Sequence, residues 1–221
     1  MTRIKICGLT READVDAAIE AGADAIGFVM YEKSARYVTP QRAAELARRL
    51  PPFVTPVCLY VNASADLIGR ALQAIPNQLM QFHGDERPAA CHWFGRPYLR
   101  AARMEPGFDL LDFASQFSNA QAILLDAHVE GYGGGGKVFD WSLIPANVPL
   151  PVVLSGGLHA GNVAEGMLAV RPWAVDVSSG VEGAAKGIKD ASLIREFCDA
   201  VRQADMQIAS QIASQIAALP S

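Results

Sequence analysis

Cys7, Asp126, Arg36 and two small-residue turns, Ser155-Gly156-Gly157 and Ser179-Gly180, are the places where this chain carries groups able to do chemistry. Cys7 closes the run Arg3-Ile4-Lys5-Ile6 and precedes Gly8, which allows close backbone approach. A free thiol ionises at about pH 8.5, and a neighbouring cation pulls that toward neutrality, giving a base or nucleophile. Lys5, two residues back on the same strand face, could act that way. The plain alternative is a small core hydrophobe, the usual lot of a buried cysteine. Asp126 ends Ile123-Leu124-Leu125. A carboxylate at the mouth of an apolar strand is partly desolvated, which favours the protonated form and a general-acid role. An ordinary helix cap or loop salt bridge is the competing reading.

Both small-residue turns leave backbone N–H groups free to converge on an anion, and together they fit a phosphate site formed after two adjacent strands. Gly156, Gly157, Ser179 and Gly180 are therefore expected to bind phosphate. Arg36, in Tyr31-Glu32-Lys33-Ser34-Ala35-Arg36-Tyr37, could hold a carboxylate in its planar fork, with tyrosines to accommodate a ring. A solvated loop arginine is the alternative. Lys137 follows four glycines, Gly133 to Gly136, and suggests a lid over an anion, although the run lacks the ending of a nucleotide P-loop. His83 could orient a substrate or serve as a polar core group. His92, His128 and His159 read as surface residues, and no histidine pair has metal-ligand spacing. Cys58, Cys91 and Cys198 fall in apolar patterns and read as inert packing.

These groups need a scaffold that brings strand ends together. Short β-branched runs alternate with longer stretches at helical spacing. The expected strands are Ile4–Cys7, Ala25–Val29, Thr55–Val61, Leu79–His83, Tyr98–Ala102, Ala122–Asp126, Pro151–Leu154 and Ala174–Val177. Helix starts are expected at Thr39-Pro40, Ser64, Asp140 or Ser142, and Asp190. Eight strands, each followed by a helix, close most simply into a single (β/α)8 barrel of the α/β class; a doubly wound open sheet is the runner-up. Period-two alternation groups Lys5 with Cys7, Gln81 with His83, Leu124 with Asp126, and Asp176 with Ser178. If Ile4 and Ile6 pack on the helical shell, these groups point into the barrel and converge at its carboxyl end.

The 221 residues, 51% hydrophobic, suffice for one large core over residues 1–205. A net charge of −4 argues against nucleic-acid or anionic-membrane partners, so an anionic ligand must be held locally. Unpaired cysteine spacing and an opening without a signal-like segment lead us to expect a cytoplasmic protein with free thiols. Residues 206–221 differ: Gln207-Ile208-Ala209-Ser210 repeats as Gln211-Ile212-Ala213-Ser214. A four-residue repeat drifts only about 40° per step on a helix, so a helical extension with an isoleucine stripe is possible, as is a frayed tail.

Taken together the motifs resemble the phosphoribosylanthranilate isomerase family of tryptophan biosynthesis. The resemblance runs from Lys5-Ile6-Cys7-Gly8 through Tyr31 to Tyr37, Val61-Asn62, Gln81 to Glu86, Leu125-Asp126, Gly133 to Trp141, Ser155 to Leu158 and Asp176 to Glu182. It implies an Amadori rearrangement of N-(5-phosphoribosyl)anthranilate to 1-(2-carboxyphenylamino)-1-deoxyribulose 5-phosphate, with no cofactor and no metal. By resemblance, Asp126 would be the general acid that opens the ribose ring and Cys7 the general base that takes the C2 proton. Arg36 would hold the anthranilate carboxylate, and the glycine turns the phosphate. Lys5, His83 and Lys137 are grouped with the substrate-binding residues. The four-glycine run and His159 depart from the usual family pattern. Rival readings are another phosphosugar barrel, such as an epimerase or a histidine-pathway isomerase, and a catalytically silent phosphate-binding barrel. Monomer and homodimer both remain open.

Overall fold

The computed structural model describes residues 1–127 and 138–217. The expected lid residue Lys137, with Gly133 to Gly136 and His128, lies outside the described residues. The strands are β1 (Arg3–Cys7), β2 (Ala25–Val29), β3 (Thr55–Tyr60), β4 (Leu79–Phe82), β5 (Tyr98–Met104), β6 (Ala122–Ala127), β7 (Val152–Leu154) and β8 (Ala174–Val177). All pair in parallel, and β8 returns to β1 to close the barrel. Each expected strand is present with its ends moved by no more than two residues. The helices are α1 (Glu12–Glu20), α2 (Pro40–Ala47), α3 (Ala65–Ala74), α4 (Pro88–His92), α5 (Leu110–Gln116), α6 (Val163–Val170) and α7 (Ala191–Ala217).

Local chemistry explains where the helices begin. The Thr39 hydroxyl accepts from the Arg42 N–H with Pro40 at the first helical position, and the Ser64 hydroxyl accepts from the Leu67 N–H. Each satisfies a backbone donor that the helix itself leaves unpaired. The helix expected from Asp140 or Ser142 is the exception. Asp140 does cap, accepting from the Ser142 N–H, but only a 3-10 turn, Trp141–Leu143, follows. Pro145, Pro149 and Pro151 stand directly behind it and withhold the N–H donors a longer helix needs.

Two apolar layers hold the barrel. Ile4, Ile6, Ile26, Phe28, Tyr60 and Phe82 face outward against the helices and are completely or almost completely buried. Full burial of each large side chain is worth roughly 1.5–3 kcal/mol. Inside, Val57, Leu99, Ala101, Ala122, Leu124, Val153 and Ala174 form a separate dry cluster. Helix α7 closes the structure: Ile194, Phe197, Cys198, Val201 and Ala204 are buried on the barrel, and the Asp205 carboxylate accepts from the Thr2 N–H and hydroxyl. Beyond Asp205 the helix continues to Ala217, with Ile208 packed against the core but Ile212 and Ile216 exposed. Among the described residues no helix is long and apolar enough to cross a membrane.

Candidate active site

The polar inward residues gather at the carboxyl ends of the strands, around a pocket of about 400 Å³ lined by Cys7, Tyr31, Arg36, Gln81, His83, Asp176 and Ser178, among others. A smaller cavity of about 30 Å³ beside it is lined by Asp126, Ser155, Gly156, Gly157 and Ser179, and shares Asp176 and Ser178 with the first.

Strand register builds one wall. Lys5 on β1 stands opposite Asp176 on β8, and Cys7 opposite Gly27 on β2. The Lys5 ammonium donates to Asp176 Oδ1 at 2.7 Å, and the Ser155 hydroxyl donates to Asp176 Oδ2 at 3.3 Å. Burial works against the Lys5 charge, yet Asp176 and Cys7 outweigh it and raise the ammonium above the usual lysine range. Lys5 is thus buried beneath the pocket and is not among the residues lining it. For Cys7, burial pushes the thiol above its ordinary value, opposed chiefly by Lys5. The remaining cysteines are buried, and burial pushes Cys58 and Cys91 up to about 12 and Cys198 to about 11.

A second wall joins β4 to β6. His83 Nε2 lies 3.0 Å from Asp126 Oδ2, and His83 Nδ1 lies 3.2 Å from the Gln81 amide nitrogen. Asp126 Oδ1 accepts from the Ala127 N–H at 2.9 Å. The turn carrying His83 is fixed from outside the barrel by the buried Arg100, which donates to the carbonyls of Phe82 and Gly84 and lies over the Phe117 ring. Gly156 (φ +82°) abuts this wall; a Cβ there would stand 2.6 Å from the Ala127 nitrogen and 3.0 Å from Asp126 Oδ1.

Arg36 is 6% exposed, which rules out the solvated-loop alternative. Its Nε and Nη2 donate to Glu182 at 2.6 and 2.9 Å. Lys189 donates to the same carboxylate at 3.1 Å and to the Ser178 carbonyl at 2.9 Å. Burial alone would raise Glu182, but the two cations hold it below the usual carboxylate value; desolvation lowers Lys189. Two cations against one carboxylate leave a positive excess at this end. Gly8 (φ +79°) makes room, since a Cβ there would meet Arg36 Cδ. Of the two tyrosines flanking Arg36, only Tyr31 lines the pocket; Tyr37 bridges to Val29.

The turns after β7 and β8 come together backbone to backbone: a Cβ on Gly180 would overlap the Leu158 carbonyl. Among the described residues, the N–H groups of Gly156, Gly157, Ser179 and Gly180 reach no protein acceptor. Glu182 and Lys189, which set Arg36 in place, were missed by sequence reasoning, as was Gly27. A glycine inside a strand signals close approach and could have drawn attention to Gly27; nothing local marks Lys189.

A family model described as N-(5'phosphoribosyl)anthranilate (PRA) isomerase matches residues 4–200. The N-(5'-phosphoribosyl)anthranilate isomerase of Methylibium petroleiphilum is 70% identical over 209 residues, covering 95% of this chain and 98% of its own. The solved phosphoribosyl anthranilate isomerase of Thermotoga maritima superposes with a TM-score of 0.84 at 39% identity, over 92% of this chain and 100% of its own. Another such isomerase, solved in complex with reduced 1-(o-carboxyphenylamino)-1-deoxyribulose 5-phosphate, gives 0.81 at 36% identity over 92% and 100%. With a dry barrel core, a polar mouth and matches of this extent, the chain belongs to the N-(5'-phosphoribosyl)anthranilate isomerase family.

Proposed function

We propose that Cys7 is the general base and Asp126 the general acid of an Amadori rearrangement, carried out between a carboxylate anchor at Arg36 and a phosphate anchor on the turns after β7 and β8. The chain is an isomerase of tryptophan biosynthesis, acting on N-(5-phosphoribosyl)anthranilate. The observation that carries the residue assignment is the layout of the mouth: Cys7 on one wall, the His83–Asp126 pair on another, and anion-binding groups at both ends.

The substrate is an anion at both ends, a carboxylate on the ring and a phosphate on the sugar. Glu182 occupies the Nε and Nη2 edge of Arg36, and Nη1 makes no hydrogen bond among the described residues. The guanidinium is thereby held flat and aimed, and the positive excess over Glu182 draws the carboxylate. Tyr31 gives the ring a face. At the far end, the four backbone N–H groups that reach no acceptor among the described residues would bind the phosphate without needing a basic side chain. Fixing both ends holds the sugar carbons over Cys7 and Asp126.

The order of proton movements follows. Asp126 gives a proton to the ribose ring oxygen, the ring opens to a Schiff-base cation, and the Cys7 thiolate removes the C2 proton. The resulting enolamine tautomerises to the ketone. His83, hydrogen-bonded to Asp126, keeps its carboxyl group aimed, and exchange with solvent re-protonates Asp126 and takes the proton from Cys7 before the next turnover. Each positioned acid or base contributes about 10²–10⁴-fold in rate. The ligand is a phosphorylated small molecule, and the expected compartment is the cytoplasm.

The test is loss of anthranilate-type fluorescence when the protein meets freshly generated phosphoribosylanthranilate. Fast decay in the wild type, reduced about 10²-fold or more in both Cys7→Ser and Asp126→Asn, supports the assignment. Decay that survives either substitution rejects that residue's role. Binding without turnover by folded wild type makes the chain a silent phosphate-ligand barrel instead.

A further inference from the structure

We propose that Lys5 is a positioning residue for the base: its ammonium, clamped by Asp176 and admitted beside the sulfur by Gly27, is the counter-charge that stabilises Cys7 as a thiolate. The inference rests on Cys7 being the base, and it gives Lys5 a different task from contacting substrate.

Three features of the barrel interior carry it. Lys5 and Cys7 share the inward face of β1, so their side chains rise together toward the mouth. The strand beside them offers nothing in the way. A Cβ on Gly27 would stand 2.8 Å from Cys7 Sγ and 3.1 Å from Lys5 Nζ, so the sulfur and the ammonium flank one small space that any side chain would fill. Finally, Asp176 anchors the ammonium at 2.7 Å and is itself held by Ser155, so the cation is fixed before substrate arrives. A preset charge in a dry site acts on a neighbouring ionisation without reorganising.

The electrostatic balance around the sulfur gives the direction of the effect. Burial opposes the thiolate most strongly; Lys5 is the largest favourable influence, Asp176 opposes, and Lys189 assists more weakly. On the other faces of the pocket stand Arg36, which shares Glu182 with Lys189, His83 with Asp126, and Lys33 and Lys186; of these only Lys189 is among the leading influences on the sulfur. Gly27 contributes no charge from β2. Lys5 is therefore the cation whose removal most disfavours the anionic sulfur, and its own charge is secured by Asp176 and Cys7 despite burial.

The experiment is the pH dependence of Cys7 alkylation by iodoacetamide in the full chain, comparing wild type with Lys5→Met. Cys58, Cys91 and Cys198 are at most 1% exposed, and a Cys7→Ser control subtracts any reaction they give. The expected result is a midpoint moved upward by about one pH unit or more, together with an approximately tenfold lower kcat near neutrality and a KM within about threefold of wild type. Because removing Lys5 leaves Asp176 buried and unpaired, folding is checked by circular dichroism. If Lys5→Met does not fold, the double variant Lys5→Met with Asp176→Asn takes its place. Its midpoint still rises, by less, because Lys5 acts on the sulfur more strongly than Asp176 does. An unchanged or lowered midpoint in a folded variant overturns the proposal. Alkylation reads the ionisation of Cys7 whether or not Cys7 is the base, so this outcome is separable from turnover surviving in Cys7→Ser.

Discussion

The interior of the barrel has two halves that share the same strands and differ in everything else. Toward the amino ends the inward side chains are Leu124 on β6, Val153 on β7 and Ala174 on β8, part of a dry cluster. One inward step further along those strands they become Asp126, Ser155 and Asp176, all buried and polar. The lower half stabilises by exclusion of water and tight packing. The upper half tolerates burial chiefly through mutual pairing, Lys5 with Asp176 and Ser155, His83 with Asp126 and Gln81, because an unpaired buried polar group costs free energy; Gln81 Oε1 is the exception among these side chains. A two-residue step along a strand thus separates what holds the fold from the polar groups that line the mouth.

The sharpest way to break this division is to cut into the lower half and ask whether the upper half notices. Leu99→Ala, far below the mouth, is expected to lower unfolding free energy by about 2–5 kcal/mol in urea titration while leaving KM unchanged. Cys7→Ser should do the reverse, losing turnover at nearly constant melting temperature. A next step is Arg36→Met, which removes charge-assisted hydrogen bonds worth about 1.5–3 kcal/mol and should raise KM by roughly 10- to 100-fold with a much smaller change in kcat. A comparable loss in kcat alone would contradict the anchor role.

Glu182 sharpens the comparison through pH. Arg36 and Lys189 hold its folded-state pKa below its ordinary 4.5, so its stabilising contribution is present above that pH and is lost as pH falls through the folded value. Glu182→Gln should therefore be less stable than wild type near pH 7, and the difference should shrink below about pH 4, as read by denaturant unfolding at each pH. A difference constant down to pH 3 would show that the ion pair is not its source. The smallest effect is expected at the end of α7. Ending the chain after Ile208 keeps Asp205 on Thr2 and removes the exposed Ile212 and Ile216 end of the stripe together with the exposed hydrogen bond from Arg171 to Gln211. Its melting temperature should move by no more than about 2–4 °C, the effect of roughly 1 kcal/mol in a chain of this size. Ending it after Ala204 forfeits the Thr2 contact and should cost more.

Much of the scaffold was legible because it rests on local rules. Period-two alternation put Lys5, Cys7, Gln81, His83, Asp126 and Asp176 on inward faces, and Thr39, Ser64 and Asp190 marked helix starts through cap chemistry that spans only three residues. The helix expected near Asp140 failed because the prolines behind it outweighed its cap. The pairing of Arg36 with Glu182, 146 residues away, had no local signal at all.

The sequence alone determined the order of strands and helices, which side chains share a face, and which end of each strand carries polar groups, because each follows from backbone periodicity and nearest-neighbour chemistry. Only the closed barrel decided who meets whom. Register across β8 and β1 set Lys5 against Asp176, register across β1 and β2 emptied the space beside Cys7 at Gly27, and the turn after β8 brought Glu182 and Lys189 to Arg36. Those meetings depend on how distant strands are shifted past one another, and a shift of one residue would turn every inward group outward.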